Sequence, residues 1–495
     1  MRYFSTRNKD INVSSSEAIL KGISEDGGLF VPEEIPRIDN LQDLIDMDYK
    51  KLAFRIMSKF LTDFDTDVLK KCIENAYDDK FSSNDIAPLV EVDGAFFLEL
   101  YHGPTLAFKD MALSILPYLL KESMKIQNIK EEVVILTATS GDTGKAALEG
   151  FANVEGTRII VFYPKNGVSQ IQERQMITQE GDNTFVVGIN GNFDDAQTGV
   201  KEIFADEEFG HLLKVENYVL SSANSINIGR LIPQIVYYFH GYLELLRLGK
   251  IQESEMVNII VPTGNFGNIL AAYYAKNMGL PVNKLICASN ENKVLTDFIN
   301  TGVYDKRRDL ILTTSPSMDI LVSSNLERLL YHLSCGDDKF IENKMVELSQ
   351  NGFYKIDNLK MEGFYGGYSS EEEVNKTINK LFTDSNYLMD THSAVAYNVY
   401  DKYKVDTKDN TKAIISSTAS PFKFGASVAS AIGLDIAEDE FSILEDLSKA
   451  SDLNMPKSIK DLKNKEILHE NICDIDDMGN MVKKFLEVGD NNGRS

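Results

Sequence analysis

Val257-Asn258-Ile259-Ile260-Val261 runs into Pro262-Thr263-Gly264-Asn265-Phe266-Gly267-Asn268 and then into Ile269-Leu270-Ala271-Ala272-Tyr273-Tyr274. A short apolar run rich in β-branched residues reads as a buried strand. The glycine-bearing stretch reads as a loop, and the apolar segment after it as a helix. Three more segments repeat this grammar. Val133-Val134-Ile135-Leu136 is followed by a polar loop and a helix starting near Lys145-Ala146-Ala147-Leu148. Arg158-Ile159-Ile160-Val161-Phe162 is another strand, and Ala413-Ile414-Ile415 precedes a Ser/Thr loop and the helical Gly425-Ala426-Ser427-Val428. Strands alternating with helices predict an α/β fold built on mainly parallel sheets. Ligands of such folds sit outside the carboxyl ends of the strands, so the loops there are where function is sought.

The flanks read differently. Residues 1–95 are expected to form a helical cap: Ser14-Ser15-Ser16 offers capping hydroxyls, Asp26-Gly27-Gly28 a turn, and Leu52, Ile56, Phe60 and Leu61 recur at helical spacing. Residues 96–435 are expected to form the main α/β region, with a smaller domain over roughly 130–220 and a larger one from the remainder. Residues 436–495 read as an acidic helical tail with a solvated surface, carrying Glu438-Asp439-Glu440 and Asp474-Ile475-Asp476-Asp477 and fraying over 490–495.

The chain has 495 residues with 51 Lys plus Arg against 75 Asp plus Glu, a formal net charge of −24. That balance argues against nucleic acid and anionic membranes as partners but leaves room for a local anion site. An apolar run of transmembrane length is not seen, and Met1-Arg2-Tyr3-Phe4-Ser5 does not open a signal peptide. Cys72, Cys287, Cys335 and Cys473 are widely spaced, which fits reduced thiols and a cytoplasmic protein, and nothing asks for a metal.

Four segments carry chemistry. The loop Thr137-Ala138-Thr139-Ser140-Gly141-Asp142-Thr143-Gly144-Lys145 opens a helix, and helix N-termini attract anions. It is not a nucleotide P-loop, because Thr139 stands where the first glycine belongs and Ala146 follows the lysine. Plain helix capping by Ser140, Asp142 and Thr143 is the alternative. In Gly264–Asn268 two glycines let successive N–H groups converge on one anion, a phosphate monoester in preference to a dinucleotide. Ser416-Ser417-Thr418-Ala419-Ser420-Pro421-Phe422-Lys423 puts neutral hydroxyls at a strand end. His102-Gly103-Pro104-Thr105-Leu106-Ala107-Phe108-Lys109-Asp110 places a lysine after an apolar run; held in an apolar pocket it would have a depressed pKa and suit an aldehyde, with an ordinary surface lysine as the alternative. Together these are the parts that a pyridoxal phosphate enzyme needs.

At these residues the chain resembles the threonine synthase family, in the tryptophan synthase β-like (fold-type II) group of pyridoxal 5'-phosphate enzymes. The lysine segment, Thr137–Gly144 and Ser222-Ala223-Asn224-Ser225-Ile226-Asn227-Ile228-Gly229-Arg230 match its motifs, and the opening Tyr3–Arg7 and Asp26–Pro32 resemble the long bacterial and fungal form. The likeness runs from about residue 2 to about residue 435. It implies two βα domains under a helical cap. It also implies a lyase acting on phosphates, converting O-phospho-L-homoserine and water to L-threonine and phosphate, the last step of threonine biosynthesis.

By this resemblance Lys109 would hold the cofactor and act as base. Gly264, Asn265, Phe266, Gly267 and Asn268 would cradle the cofactor phosphate, and Thr418, with Ser417 as alternative, would face the pyridine nitrogen. Ser140, Asp142 and Thr143 would serve the substrate carboxylate and the cofactor edge, and Asn224, Ser225 and Arg230 the substrate phosphate. For Arg230 a surface charge is the alternative. Ser420 stands where some relatives have His, and His392 resembles an active-site helix start while a structural role is the alternative. The long-form relatives imply a monomer. A threonine or serine dehydratase, whose substrate lacks phosphate, and a non-catalytic relative are the competing functions.

Overall fold

The computed structural model describes residues 1–139, 141–357, 361–436 and 439–488. Ser140, Glu438 and the terminal 490–495, all singled out above, lie outside these residues. Two sheets organise the chain. The larger has six strands in the order Phe364–Tyr368, Val282–Ser289, Val257–Pro262, Ala413–Ser417, Ala95–Glu99, Leu89–Val92. All neighbours are parallel except the last pair, a hairpin closed by Asp93-Gly94. Ile259 lies between Leu285 and Ile414, and Ile414 pairs onward with Phe96, so apolar side chains cover both faces. The smaller sheet has five parallel strands: Asn471–Cys473, Thr184–Ile189, Thr157–Pro164, Glu132–Ala138 and Tyr218–Ser221.

The central strands Val257–Pro262 and Ala413–Ser417 are neighbours, and both end at the same rim. The loops after them therefore meet. A third polar loop, after Glu132–Ala138 of the smaller sheet, faces them. Helix Ile228–Arg247 is buried along nearly its whole length and packs on helix Gly267–Asn277, so Arg230 is carried inside the molecule at 3% exposure rather than on its surface.

The cap differs from an all-helical one. Tyr3–Ser5, Asn12–Val13 and Phe30–Pro32 form a three-stranded antiparallel sheet, and the hairpin strand Leu89–Val92 already belongs to the larger sheet. Its helices follow the spacing read from sequence. Asp48 caps Tyr49–Phe60 by accepting from Lys51 N–H, and Leu52, Ala53, Ile56, Met57 and Phe60 form one buried stripe. Asp65 caps the next helix, Thr66–Ala76.

The tail is not the solvated surface that its charge suggested. Asn471–Cys473 adds an edge strand beside Val187–Ile189, and Met478, Val482 and Leu486 of helix Met478–Leu486 are buried among Val134, Leu136, Ile160 and Phe162. Earlier in the tail, Ile443, Leu444 and Leu447 enter the core of the larger domain. The tail carries more acidic than basic residues, but one apolar stripe is enough to dock a helix. Among the described residues no helix is long and apolar enough to cross a membrane, and no His/Cys/Asp/Glu cluster is arranged for a metal.

Candidate active site

Lys109 ends a tightly stapled loop. Asp110 begins the short helix Asp110–Leu113, and its carboxylate accepts from Thr105 N–H (2.8 Å) and Thr105 Oγ1 (2.6 Å). The same loop is zipped to the third one: Phe108 N–H donates to the Thr418 carbonyl (2.8 Å), and Ser420 N–H to that of Leu106 (3.0 Å). Lys109 is thus held at the end of strand Ala413–Ser417, where two chain segments far apart in sequence share backbone hydrogen bonds.

Its ammonium faces an acid. Lys109 Nζ lies 3.3 Å from Asp142 Oδ2 and 3.0 Å from Ser317 Oγ, which itself donates to Asp142 Oδ2 (3.0 Å). The other carboxylate oxygen accepts from Gln172 Nε2 (3.0 Å) and lies 3.2 Å from Lys423 Nζ. Lys423 is 1% exposed and also donates to the Thr105 carbonyl (2.7 Å). Burial lowers the Lys109 pKa; Asp142 opposes that, and the positive charges of Lys423 and Arg230 add to it. Burial also works to raise the Asp142 pKa, but Lys423 and Lys109 overcome it and hold the carboxyl well below the usual carboxylate range. A carboxylate committed to two lysines repels another carboxylate, so Asp142 is a partner for lysine rather than a cradle for a substrate's acid group.

The loop of Asp142 is shaped by Thr139, whose Oγ1 accepts from Gly141 N–H (3.0 Å) and Gly144 N–H (2.9 Å). Capping by Ser140, Asp142 and Thr143 is the alternative reading of this loop from sequence, and Ser140 lies outside the described residues. Thr143 is half-buried at the start of helix Asp142–Phe151. Gly141 has φ 126°, a conformation that favours glycine, and a Cβ there would also stand 2.6 Å from the Gln172 amide.

The glycine loop is a second, empty-handed donor array. Phe266 takes φ 63°, which curls the chain into helix Gly267–Asn277. Among the described residues, the backbone N–H groups from Gly264 to Asn268 donate to no protein acceptor. Asn268 is buried; Tyr237 and Tyr238 hydroxyls both donate to its Oδ1, while its Nδ2 has no partner. Phe266, Gly267 and Asn268 are buried, Gly264 is half-buried and Asn265 exposed, and unpaired donors gathered in this way suit an anion. Gly264 packs against the Ser317 turn: a Cβ would lie 2.5 Å from the Ser317 carbonyl oxygen.

Arg230 makes a third. Its Nη1 donates to the Ala223 carbonyl (3.0 Å), its Nε has no partner, and among the described residues it has no carboxylate. Burial lowers its pKa to about 10. Asn224 and Ser225, half-buried, lie in the turn that leads into its helix.

Sequence reasoning missed Ser317 and Gln172 and left Lys423 and His392 unassigned. Ser317 N–H donates to His392 Nε2 (3.2 Å), and the other ring nitrogen bonds Asp390 Oδ1 (2.9 Å), which fixes the tautomer with its proton on Nδ1. Ser420 Oγ accepts from Phe422 N–H (3.3 Å), a local cap. Ser417 Oγ is engaged with Ser393 Oγ (3.0 Å). No local pattern marks Ser317; its turn reaches the site only through the fold.

A buried lysine with a lowered pKa at the rim of a parallel sheet, beside a donor-lined glycine loop, defines the class of pyridoxal-phosphate-dependent enzymes. The family model "Pyridoxal-phosphate dependent enzyme" matches residues 81–417, flanked by "Threonine synthase N terminus" over 2–77 and "Threonine synthase, C-terminal" over 393–484. The chain belongs to the threonine synthase family. It is 38% identical over 491 residues to threonine synthase of Saccharomyces cerevisiae, covering 91% of this chain and 93% of that one. It is 41% identical over 434 residues to "Threonine synthase-like 1" of Macaca fascicularis, covering 84% of this chain and 58% of that protein's length. The crystal structure of PLP-bound threonine synthase from Brucella melitensis superposes with TM-score 0.87 at 34% identity, over 98% of both chains.

Proposed function

We propose that this chain converts O-phospho-L-homoserine and water to L-threonine and phosphate with pyridoxal 5'-phosphate. Bound cofactor supplies an electron sink for the bond broken at the substrate's Cα. The residues fit it. Lys109 Nζ is the amine for its aldehyde, the Gly264–Asn268 N–H groups and the unpaired Asn268 Nδ2 suit its phosphate, and a Thr418 hydroxyl suits its pyridine nitrogen. Thr418 is favoured over Ser417 because Ser417 Oγ already has Ser393. Lys109 Nζ, made less basic by burial, is the group to take the Cα proton and then a Cβ proton, with Asp142 and Ser317 holding it in place. Ser140 and Thr143, at a helix start, are proposed for the substrate carboxylate.

The observation that carries the choice of reaction is Arg230, a buried guanidinium that among the described residues has no carboxylate and an unpaired Nε. With Asn224 and Ser225 it forms a second anion site, which a phosphorylated substrate needs and a dehydratase substrate does not. Purified protein should release phosphate from O-phosphohomoserine with threonine as the product. Arg230→Met should raise KM at least tenfold. Phosphate release without threonine, or turnover of unphosphorylated threonine or serine instead, refutes the assignment.

Further readings belong here too. Residues 1–95 serve as a cap, 96–435 hold the site, and the segment after 435 completes both domains. The free cysteines fit the reducing cytoplasm. A site whose lysine, glycine loop and arginine all come from one chain fits a monomer, which light scattering tests.

A further inference from the structure

Asn325 precedes helix Leu326–Leu333, the place where an asparagine side chain ordinarily caps the first turn, yet it makes no cap. It spends its groups elsewhere. Its backbone N–H and its Nδ2 both donate to the Asn265 carbonyl (3.1 Å each), and Nδ2 also donates to the Ser225 carbonyl (3.1 Å). Asn265 belongs to the glycine loop, and Ser225 to the turn before Arg230. One buried amide therefore touches both anion sites.

Arg328, one turn on and fully buried, holds that amide. Its Nη1 donates to Asn325 Oδ1, its Nη2 to the Ile226 carbonyl (2.6 Å) and its Nε to the Phe30 carbonyl (2.9 Å). Among the described residues no carboxylate pairs with it; its donors go to neutral oxygens that set the course of the chain. In a trans peptide the carbonyl and the following N–H point in opposite directions. Turning the Asn265 carbonyl toward Asn325 therefore turns the Phe266 N–H, which has no protein acceptor among the described residues, away from it. The Ser225 carbonyl fixes the Ile226 peptide in the same way.

We infer that Asn325, held by Arg328, is a positioning residue that locks the cofactor-phosphate loop and the substrate-phosphate turn into one unit, so that the two sites lose affinity together when it is altered. The inference rests on the functional reading above. Asn325→Asp tests it, because the carboxylate keeps the acceptor for Arg328 but removes both Nδ2 donors and sets an anion against two carbonyls. Asn325→Ser, which keeps one small polar group, is the second variant in case the first does not fold; thermal unfolding of each apoprotein shows which does.

Two constants are read on the folded variant. Pyridoxal phosphate affinity is measured by absorbance titration of apoprotein. Inorganic phosphate is measured as an inhibitor competing with O-phosphohomoserine on the loaded protein. Both should weaken by at least tenfold, with kcat at saturation within about threefold of wild type, a split that general damage to the fold would not give. One constant moving tenfold while the other stays within twofold, or neither moving, overturns the inference and leaves the functional reading intact. Wild-type protein that binds no pyridoxal phosphate, or is not inhibited by phosphate, takes both down.

Discussion

Asp142→Asn removes one charge and little volume from the centre of the site. At an effective dielectric of about 20, a unit pair at roughly 3.3 Å attracts by about 5 kcal/mol. Asp142 has two such pairs, with Lys109 at 3.3 Å and Lys423 at 3.2 Å, and all three groups are buried or nearly so. Most of that attraction offsets the cost of taking the charges out of water. Removing the shared partner leaves two ammoniums together in the interior, for which a net loss of about 3–5 kcal/mol at pH 7 is expected.

The pH dependence separates this cause from lost packing. The Asp142 pKa is depressed in the folded state, so its stabilisation is complete above the ordinary carboxylate range and fades as pH falls below it. The variant lacks that acid-side loss. Lys109 has a lowered folded pKa, so between that value and the ordinary lysine value the unfolded chain binds more protons, and stability rises with pH. Without Asp142 the window opens at lower pH. Urea unfolding of the two proteins from pH 3 to pH 10 reads both effects, and pH-dependent labelling of Lys109 followed by mass spectrometry locates its titration. A loss under about 1 kcal/mol at pH 7, with parallel pH profiles, would refute the reasoning.

Gly264→Ala places a methyl 2.5 Å from the Ser317 carbonyl, a backbone atom with little room to yield. A cost of about 1–3 kcal/mol in urea unfolding and at least tenfold weaker binding of pyridoxal phosphate should follow. Met478→Ala opens a cavity in the smaller domain where the side chain is 1% exposed, and should lose about 2–5 kcal/mol, whereas a solvated tail would lose almost nothing. Burial raises the Asp110 pKa to about 6, so the folded chain keeps a proton that the unfolded chain has released. Stability should fall by about 3 kcal/mol as pH rises from about 4 to about 6, and Asp110→Asn should flatten that slope in a pH series of unfolding curves.

The strand–loop–helix units could be read directly because their cause is local. Val257–Val261, Val133–Leu136, Arg158–Phe162 and Ala413–Ile415 each became a strand, slightly longer at one or both ends. The other strands of the two sheets, among them Ala95–Glu99, Thr184–Ile189, Val282–Ser289 and Phe364–Tyr368, escaped notice; the last contains Gly366-Gly367 and lacks a strong apolar run. The tail misled for a related reason: average charge hid the stripe of Met478, Val482 and Leu486. Within the site, the motif residues mark where backbone must curl or donate. Ser317, Gln172 and Asn325 carry no such mark. Each acts through a partner more than 25 positions away in sequence, such as Gln172 on Asp142 with a separation of 30.

By itself the sequence determined the parallel α/β architecture, because strand burial, helix starts and tight turns depend on near neighbours in the chain; the lysine and the glycine loop were singled out by their combination and by the family resemblance. Only the tertiary structure decided that Arg230 is buried with no counter-ion among the described residues, that Asp142 is shared by two lysines, and that one asparagine bonds both the Asn265 and Ser225 carbonyls. Burial and Coulomb energy depend on distance in space, and the sequence separation of 281 from Asp142 to Lys423 counts for nothing once the fold brings them to 3.2 Å.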